Sequence, residues 1–247
     1  MTSSILLTGA TGQLGRHLKQ SGLFSPLLTP PRHHLDLLND DSIEKYFNRH
    51  RIHAVIHTAA LARMRDCEEQ LALAVDTNII GTARLVNAVL GAEKKYRRSI
   101  RFIYISTDGV YASTVGNYKE TDNPLPYNHY GLTKLGGEKA VKHLRNYCII
   151  RTRFYDPHDL PFIHVASDAY SSSISLDACA KAIYQLLYHP FVGIINVGDR
   201  RQSDYQRFKQ IKPSIKPCTL ASIQHGLPFR LSKDASMNTT LWRSLRG

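Results

Sequence analysis

The chain carries 247 residues, 43% of them hydrophobic, with a formal net charge of +12. That length holds one domain with a sizeable core, or a core plus a small lobe, and no uninterrupted apolar run reaches the roughly 18 residues of a membrane span. The positive charge would suit nucleic acid, an anionic surface or an anionic small ligand. The basic residues are dispersed, however, apart from Lys94-Lys95 with Arg97-Arg98 and Arg200-Arg201, and no nucleic-acid module is recognisable; neither nucleic acid nor a membrane is expected as a partner.

Met1-Thr2-Ser3-Ser4 lacks the basic segment and long apolar core of a signal peptide. Cys67, Cys148, Cys179 and Cys218 are far apart and form no Cys-x-x-Cys pair, which predicts reduced thiols and a cytoplasmic protein. Among twelve histidines the closest cluster is His50, His53 and His57. His57 falls in an apolar strand pattern and His50 at a helix end, so no bound metal is expected.

Ile5-Leu6-Leu7 reads as a buried parallel strand. Thr8-Gly9-Ala10-Thr11-Gly12-Gln13-Leu14-Gly15 follows, then a helical stretch to about Gln20. Gly9 allows the tight strand-to-helix turn, Gly12 lets a pyrophosphate approach the backbone, and Gly15 lets the helix pack close to the sheet. The helix N-terminus adds free N–H groups and a positive dipole end. Gly9, Thr11, Gly12, Gln13, Leu14 and Gly15 are therefore candidate contacts to a dinucleotide. Pro26-Leu27-Leu28-Thr29 is the second strand, and it ends without the acid that usually holds the adenosine ribose hydroxyls. Arg32, with His33, is either the receiver of a 2′-phosphate, which favours NADPH over NADH, or a surface loop residue. Asp36 and Leu37 are candidates for the adenine, and Asp41 with Glu44 resembles a capping box at the next helix.

Ala54 to Thr58 is a strand that ends in small residues; Thr58, Ala59 and Ala60 let a dinucleotide lie across its carboxyl end. Leu71 to Leu90 is a long helical pattern on which Ala74, Asn78, Gly81 and Leu85 share a face. Arg101 to Ile105 is another buried strand, running into Ser106-Thr107-Asp108. A hydroxyl and a carboxyl there can polarise a substrate carbonyl and relay a proton; ordinary loop capping is the alternative. Tyr130 and Lys134 stand four apart at the head of a helical run through Leu144, on one helix face. An ammonium one turn from a phenol lowers its pKa, giving a general acid that can protonate a carbonyl oxygen while a hydride arrives at carbon. Cys148 to Arg151 is a further strand. Strands alternate with helices up to here, which predicts an α/β fold, a Rossmann-type doubly wound parallel sheet. Beyond it, residues 154–175 look irregular, Asp177 to Leu187 helical, Gly193 to Val197 a late strand and Asp204 to Gln210 a short helix.

Taken together, these motifs resemble the extended short-chain dehydrogenase/reductases. Thr8-Gly9-x-x-Gly12-x-x-Gly15, His57-x-Ala59-Ala60, Asn78-x-x-Gly81-Thr82, Ser106-Thr107-Asp108-Gly109-Val110-Tyr111, Tyr130-x-x-x-Lys134 and Arg151-Thr152 occur in that family's order. Gly12-Gln13-Leu14-Gly15 and Tyr130-Gly131-x-x-Lys134-x-Gly136-Gly137-Glu138 look most like its dTDP-4-dehydrorhamnose reductase group. The resemblance implies hydride delivery to the C4 ketone of a nucleotide-linked 4-keto-6-deoxy sugar, in surface-polysaccharide or related synthesis. Tyr130 would be the proton donor and Lys134 would hold the nicotinamide ribose. Thr107 would hydrogen-bond the reacting oxygen with Asp108 beside it, Asn78 would belong to a supporting relay, and Val110 and Tyr111 would touch substrate. It also implies a homodimer by analogy. The division expected is residues 1–152 for the cofactor and 153–247 for a small, abbreviated substrate lobe interleaved with the core through its late strand. Against the group's pattern the segment after Arg151-Thr152 is short, which keeps two alternatives open: an NADP-binding regulatory subunit of another enzyme, or a reductase of a different carbonyl compound.

Overall fold

Six apolar runs pair as parallel strands: β1 (Ser4–Thr8), β2 (Leu27–Leu28), β3 (Ile52–His57), β4 (Arg101–Thr107), β5 (Tyr147–Thr152) and β6 (Gly193–Asn196). Their order in the sheet is β6-β5-β4-β3-β1-β2. The computed structural model describes residues 4–246; residues 1–3, part of the segment read as free of a signal peptide, lie outside the described residues. The chain reverses its direction of travel across the sheet between β1 and β3, the place where open α/β sheets bind ligands beyond their carboxyl ends.

The period of two in each strand divides its side chains between two cores. Ile5, Leu7, Ile56, Ile103, Ile105, Ile150 and Ile195 pack with Leu14 and Leu18 of α1 (Gln13–Gln20) and with Ile183, Leu186 and Leu187 of α6 (Leu176–Tyr188). Leu6, Val55, Phe102, Tyr104 and Ile149 face the other way, against Phe47 of α2 (Asp40–Arg49), Leu85 and Val89 of α4 (Leu71–Tyr96) and Val141 of α5 (His129–Val141). Each such side chain contributes about 1.5–3 kcal/mol when fully buried, so the loops at the sheet's carboxyl end stand on a rigid base.

Three local expectations are corrected. The cap of α2 is Asn39, whose side chain accepts from Ser42 N; Asp41 lies inside the helix. The Tyr130 helix stops at Val141, with Leu144 in the turn that follows. The long pattern from Leu71 is one 26-residue helix, α4, interrupted by a π-helical turn at Asp76–Ile80. By length and a mean hydropathy of 1.2 it passes as a candidate span, despite the absence of an unbroken apolar run. Its Ala74, Asn78, Leu85, Val86, Val89 and Ala92 are buried against neighbouring elements.

Residues read as irregular hold short ladders. Phe154–Tyr155 pairs with Ile174–Ser175, His164–Ala166 with Lys216–Cys218, and Tyr170–Ser171 antiparallel with Gln202–Ser203. A small core of Leu160, Val165, Phe208 and Ile215 sits under them. Helix α7 (Asp204–Ile211) begins with a capping box between Ser203 and Gln206.

Candidate active site

Two clusters meet at the carboxyl end of the sheet. The first surrounds the β1–α1 turn. Gly9 has φ +73, and a Cβ there would fall 2.5 Å from Ala59 N; only glycine takes that conformation and that contact without strain. A Cβ on Gly15 would collide with the carbonyl oxygen of Gly9, so the helix rests directly on the turn. Gly12 caps α1 without a side-chain hydrogen bond, and no acid occupies the first turn, which leaves free N–H groups facing outward. A cleft of about 190 Å³ lies beside this turn, lined by Gly9, Thr11, Arg32, Asp36, Leu37, Ala59 and Thr77. Gln13 is exposed, whereas Leu14 puts its side chain into the core, so any ligand contact from Leu14 is restricted to its backbone. Thr58 Oγ1 donates to Thr8 O at 2.7 Å. Arg32 Nε is 3.5 Å from Asp36 Oδ1, and the same carboxylate oxygen accepts from Leu38 N.

Under this cleft His57 is fully buried, its Nδ1 2.6 Å from Thr8 Oγ1 and its Nε2 3.0 Å from Thr82 Oγ1. Burial, helped by the Lys134 charge, lowers its pKa to about 3, so the ring is neutral and rivets β1, β3 and α4 together.

The second cluster joins the end of β4 to α5. Asn128 caps α5 through its side chain, accepting from Gly131 N at 2.8 Å. A Cβ on Gly131 would collide with the carbonyl oxygen of Gly109, so the turn carrying Thr107 and Asp108 touches the helix carrying Tyr130 backbone to backbone. Thr107 Oγ1 donates to Asp108 Oδ1 at 3.2 Å and accepts from Gly109 N at 3.0 Å. Further along α5, Glu138 takes Arg151 in a two-pronged pair at 2.9 and 2.7 Å and accepts from Ser106 Oγ at 2.6 Å. Both charged side chains are 1% exposed.

Several predicted roles change on this geometry. Burial raises the Tyr130 pKa, and the Asp108 charge raises it further; Arg153 is the cation opposing them. Lys134 does share the helix face, but its buried ammonium lies over the Tyr104 ring, 4.1 Å from the centroid, and burial holds its pKa at about 7. The expectation that Lys134 lowers the phenol pKa is corrected accordingly. Asn78 is buried and fully committed: its amide nitrogen donates to Leu61 O at 3.0 Å and Thr133 Oγ1 at 2.9 Å, and its oxygen accepts from Leu61 N at 2.8 Å. It pins the β3–α3 loop, which precedes α3 (Met64–Glu69), to α5. Val110 and Tyr111, expected to touch substrate, are both 0% exposed. Tyr111 stacks on Tyr118 at 4.9 Å, and its hydroxyl meets Asn196, Lys119 O and Arg151, so both belong to the packing behind the site. Sequence reasoning missed Thr77, on the helix turn before Asn78, and Arg153. Only the step from Arg151-Thr152 to one more basic residue hinted at the latter.

A doubly wound sheet with a glycine turn at β1, and a Tyr/Lys pair beside a Thr-Asp strand end, make up a fold and site of short-chain dehydrogenase type. The chain belongs to the RmlD substrate binding domain family, which it matches over residues 2–174. It is 37% identical over 171 residues to a dTDP-4-keto-6-deoxy-D-glucose reductase of Streptomyces niveus, covering 66% of this chain and 57% of that one. It is 33% identical over 148 residues to the methionine adenosyltransferase 2 subunit beta of Pongo abelii, covering 56% and 42%. The matches thus span about half the length of these curated relatives. In three dimensions it is similar to the dTDP-4-dehydrorhamnose reductase of Bacillus anthracis in complex with NADP, with a TM-score of 0.86, 24% identity, and coverage of 99% of this chain and 93% of that one.

Proposed function

We propose that the protein is an NADPH-dependent reductase of a nucleotide-linked 4-keto-6-deoxy sugar. The observation that supports this reading is that Thr107 at the carboxyl end of β4 and Tyr130 and Lys134 on the adjoining α5 stand on the same side of the sheet as the glycine turn, in a family whose Streptomyces member is named for that reaction. The cleft fits the cofactor: bare backbone at Gly9 and Gly12, an uncapped helix N-terminus, and a buried ammonium at Lys134 that makes no ion pair among the described residues. The Gly9–Gly15 turn would hold the pyrophosphate, Arg32 the 2′-phosphate, Asp36 and Leu37 the adenine, and Lys134 the nicotinamide ribose. NADPH supplies a hydride to the ketone carbon when bound. Tyr130 gives its proton to the carbonyl oxygen, and Thr107 holds that oxygen in place. A neighbouring pocket of about 160 Å³, lined by Tyr127, Arg153, Phe162, Phe208 and Ile223 among others, takes the nucleotide end of the substrate, so residues 153–247 act as the substrate lobe. Exposed Leu71, Leu73 and Ile80 on α4 and Leu132 on α5 suit a homodimer, which sedimentation would reveal.

The test is oxidation of NADPH and of NADH with a ketosugar nucleotide made in situ, with Tyr130→Phe as control. Turnover that vanishes in the variant while cofactor binding persists supports the reading. The similarity to a methionine adenosyltransferase subunit favours one alternative, a cofactor-binding regulatory subunit. Tight NADPH binding with no turnover on dTDP-, UDP- and GDP-linked ketosugars, together with a stable protein complex, would select that alternative.

A further inference from the structure

Basic residues that sequence order disperses gather at the amino end of the sheet. A pocket of about 340 Å³ opens there, lined by Asn48, Arg49, His50, Arg51, Tyr96 and Arg98. It lies between the last turns of α2 and α4 and the entry to β3. From Ile52 to His57 β3 rises about 17 Å, so the pocket stands at the opposite end of the sheet from the glycine turn and Tyr130. No lining residue is acidic. Arg49, Arg51 and Arg98 make no ion pair among the described residues. Arg98 is tied down by one nitrogen, its Nη2 donating to Ile52 O at 2.6 Å, while its Nε is buried without a partner. Burial, and the Arg51 charge after it, push the Arg98 pKa below its ordinary value, so the two guanidiniums are near enough to repel. Lys95 and Arg98 also share the Tyr96 ring, at 5.3 and 5.7 Å from its centroid.

Cations at helix C-termini ordinarily complement the backbone dipole, but here they exceed it. Arg49, Arg51, Arg98 and Lys95, whose Nζ donates to Asn48 Oδ1 at 2.8 Å, bring four positive charges. The ends of α2 and α4 each offer about half a negative charge. Glu93, whose Oε1 accepts from Ile100 N at 2.7 Å, adds one more. A surplus of about two positive charges remains. A phosphate monoester carries about 1.5 to 2 negative charges at neutral pH, and guanidiniums match its oxygens two at a time. We propose that this pocket is a binding site for a dianionic phosphate group, held by Arg51 and Arg98 with Arg49 beside them. The pocket is larger than a phosphate alone needs, and the Tyr96 ring, 42% exposed, offers a flat surface next to the cations. The ligand is accordingly a small phosphomonoester, and inorganic phosphate presents the same group without the organic body. The site is separate from the proposed chemistry and does not rest on it.

The experiment is calorimetric titration of the full chain with glucose 1-phosphate, with inorganic phosphate, and with potassium chloride at matched ionic strength. NADPH is present throughout, so that the cofactor cleft is occupied. Wild type is expected to bind both phosphates, with a Kd of about 1 mM or below, and to give no heat with chloride. Arg51 is exposed, so its replacement spares the core, and thermal melts verify that each variant folds. R51Q should weaken phosphate binding about ten- to a hundredfold, and R51E should abolish it. R32S, on the cofactor cleft, should change neither phosphate affinity. A monoester that binds more tightly than inorganic phosphate identifies the phosphorylated organic body as the ligand, and equal affinities identify free phosphate; both support the site. No heat with either phosphate up to about 10 mM, or an R51E titration that superimposes on wild type, overturns the proposal. A single-stranded oligonucleotide that displaces the monoester at lower concentration and loses affinity in R51E overturns it in favour of a polyanion surface. Failure of NADPH to bind refutes the cofactor reading instead, and R51E against R32S still assigns the phosphate heat to one end of the sheet.

Discussion

Glu138→Gln is expected to be among the most damaging isosteric changes in the chain. Glu138 and Arg151 are each 1% exposed and joined by two hydrogen bonds, with Ser106 on the carboxylate and the Tyr111 hydroxyl on the guanidinium. The pair holds the Arg151 pKa well above its ordinary value against burial, which acts the other way. Removing the anion leaves a cation in the core with no counter-charge, which costs about 3–5 kcal/mol. For a chain of this size each kcal/mol moves Tm by about 2–4 °C, so a fall of about 6–20 °C is expected. Urea unfolding followed by circular dichroism gives the free energy directly. Replacing both partners by apolar residues, Glu138→Leu with Arg151→Met, should be milder than Glu138→Gln, because the desolvated charge goes too. A loss under about 1 kcal/mol for Glu138→Gln, or a double variant worse than the single, would refute the argument that an unpaired charge sets the cost.

Other outcomes follow from the same structure. Gly15→Ala should abolish NADPH binding in a fluorescence titration, since the added methyl meets the Gly9 carbonyl. Arg32→Ser should weaken NADPH by about ten- to a hundredfold, the worth of a charged hydrogen bond, and leave NADH alone. Between pH 6.5 and about 3 the unfolded chain protonates His57 while the folded chain does not. Stability should therefore fall by about 1.4 kcal/mol per pH unit through that window, and His57→Gln should remove that slope in urea titrations. Lys134 shows the same sign in another window: its folded pKa of about 7 lies below the ordinary 10.5, so the cofactor-free protein should gain stability as pH rises between them. Thermal melts of Lys134→Met should lack that gain.

The sheet was legible because Ile5, Leu7, Ile56 and Ile150 repeat at a period the pleat imposes, and the glycine turn because its spacing answers to backbone geometry. Tyr130 and Lys134 were legible as helix neighbours, since four residues make about one turn. What the lysine faces was not, because the Tyr104 ring comes from β4, 30 residues earlier in sequence. Tyr111, which the resemblance put against substrate, is buried through Tyr118 stacking and through Asn196 at the far edge strand. Arg153 and Asp108 stand 45 positions apart and meet only because β4 and β5 are adjacent in the sheet. Pairings of that kind are set by tertiary approach, on which local pattern is silent.

The bare contact between Gly131 and Gly109 has a bearing on how such a protein could change its diet. The spacing of acid and hydroxyl is written in main chain on one side, and the lining of the pocket proposed for the substrate in side chains such as Phe162, Phe208 and Ile223 on the other. The two can drift apart under selection. A library confined to the pocket explores new sugars or bases with the reactive spacing untouched, whereas a single methyl at residue 131 shifts that spacing without touching the pocket.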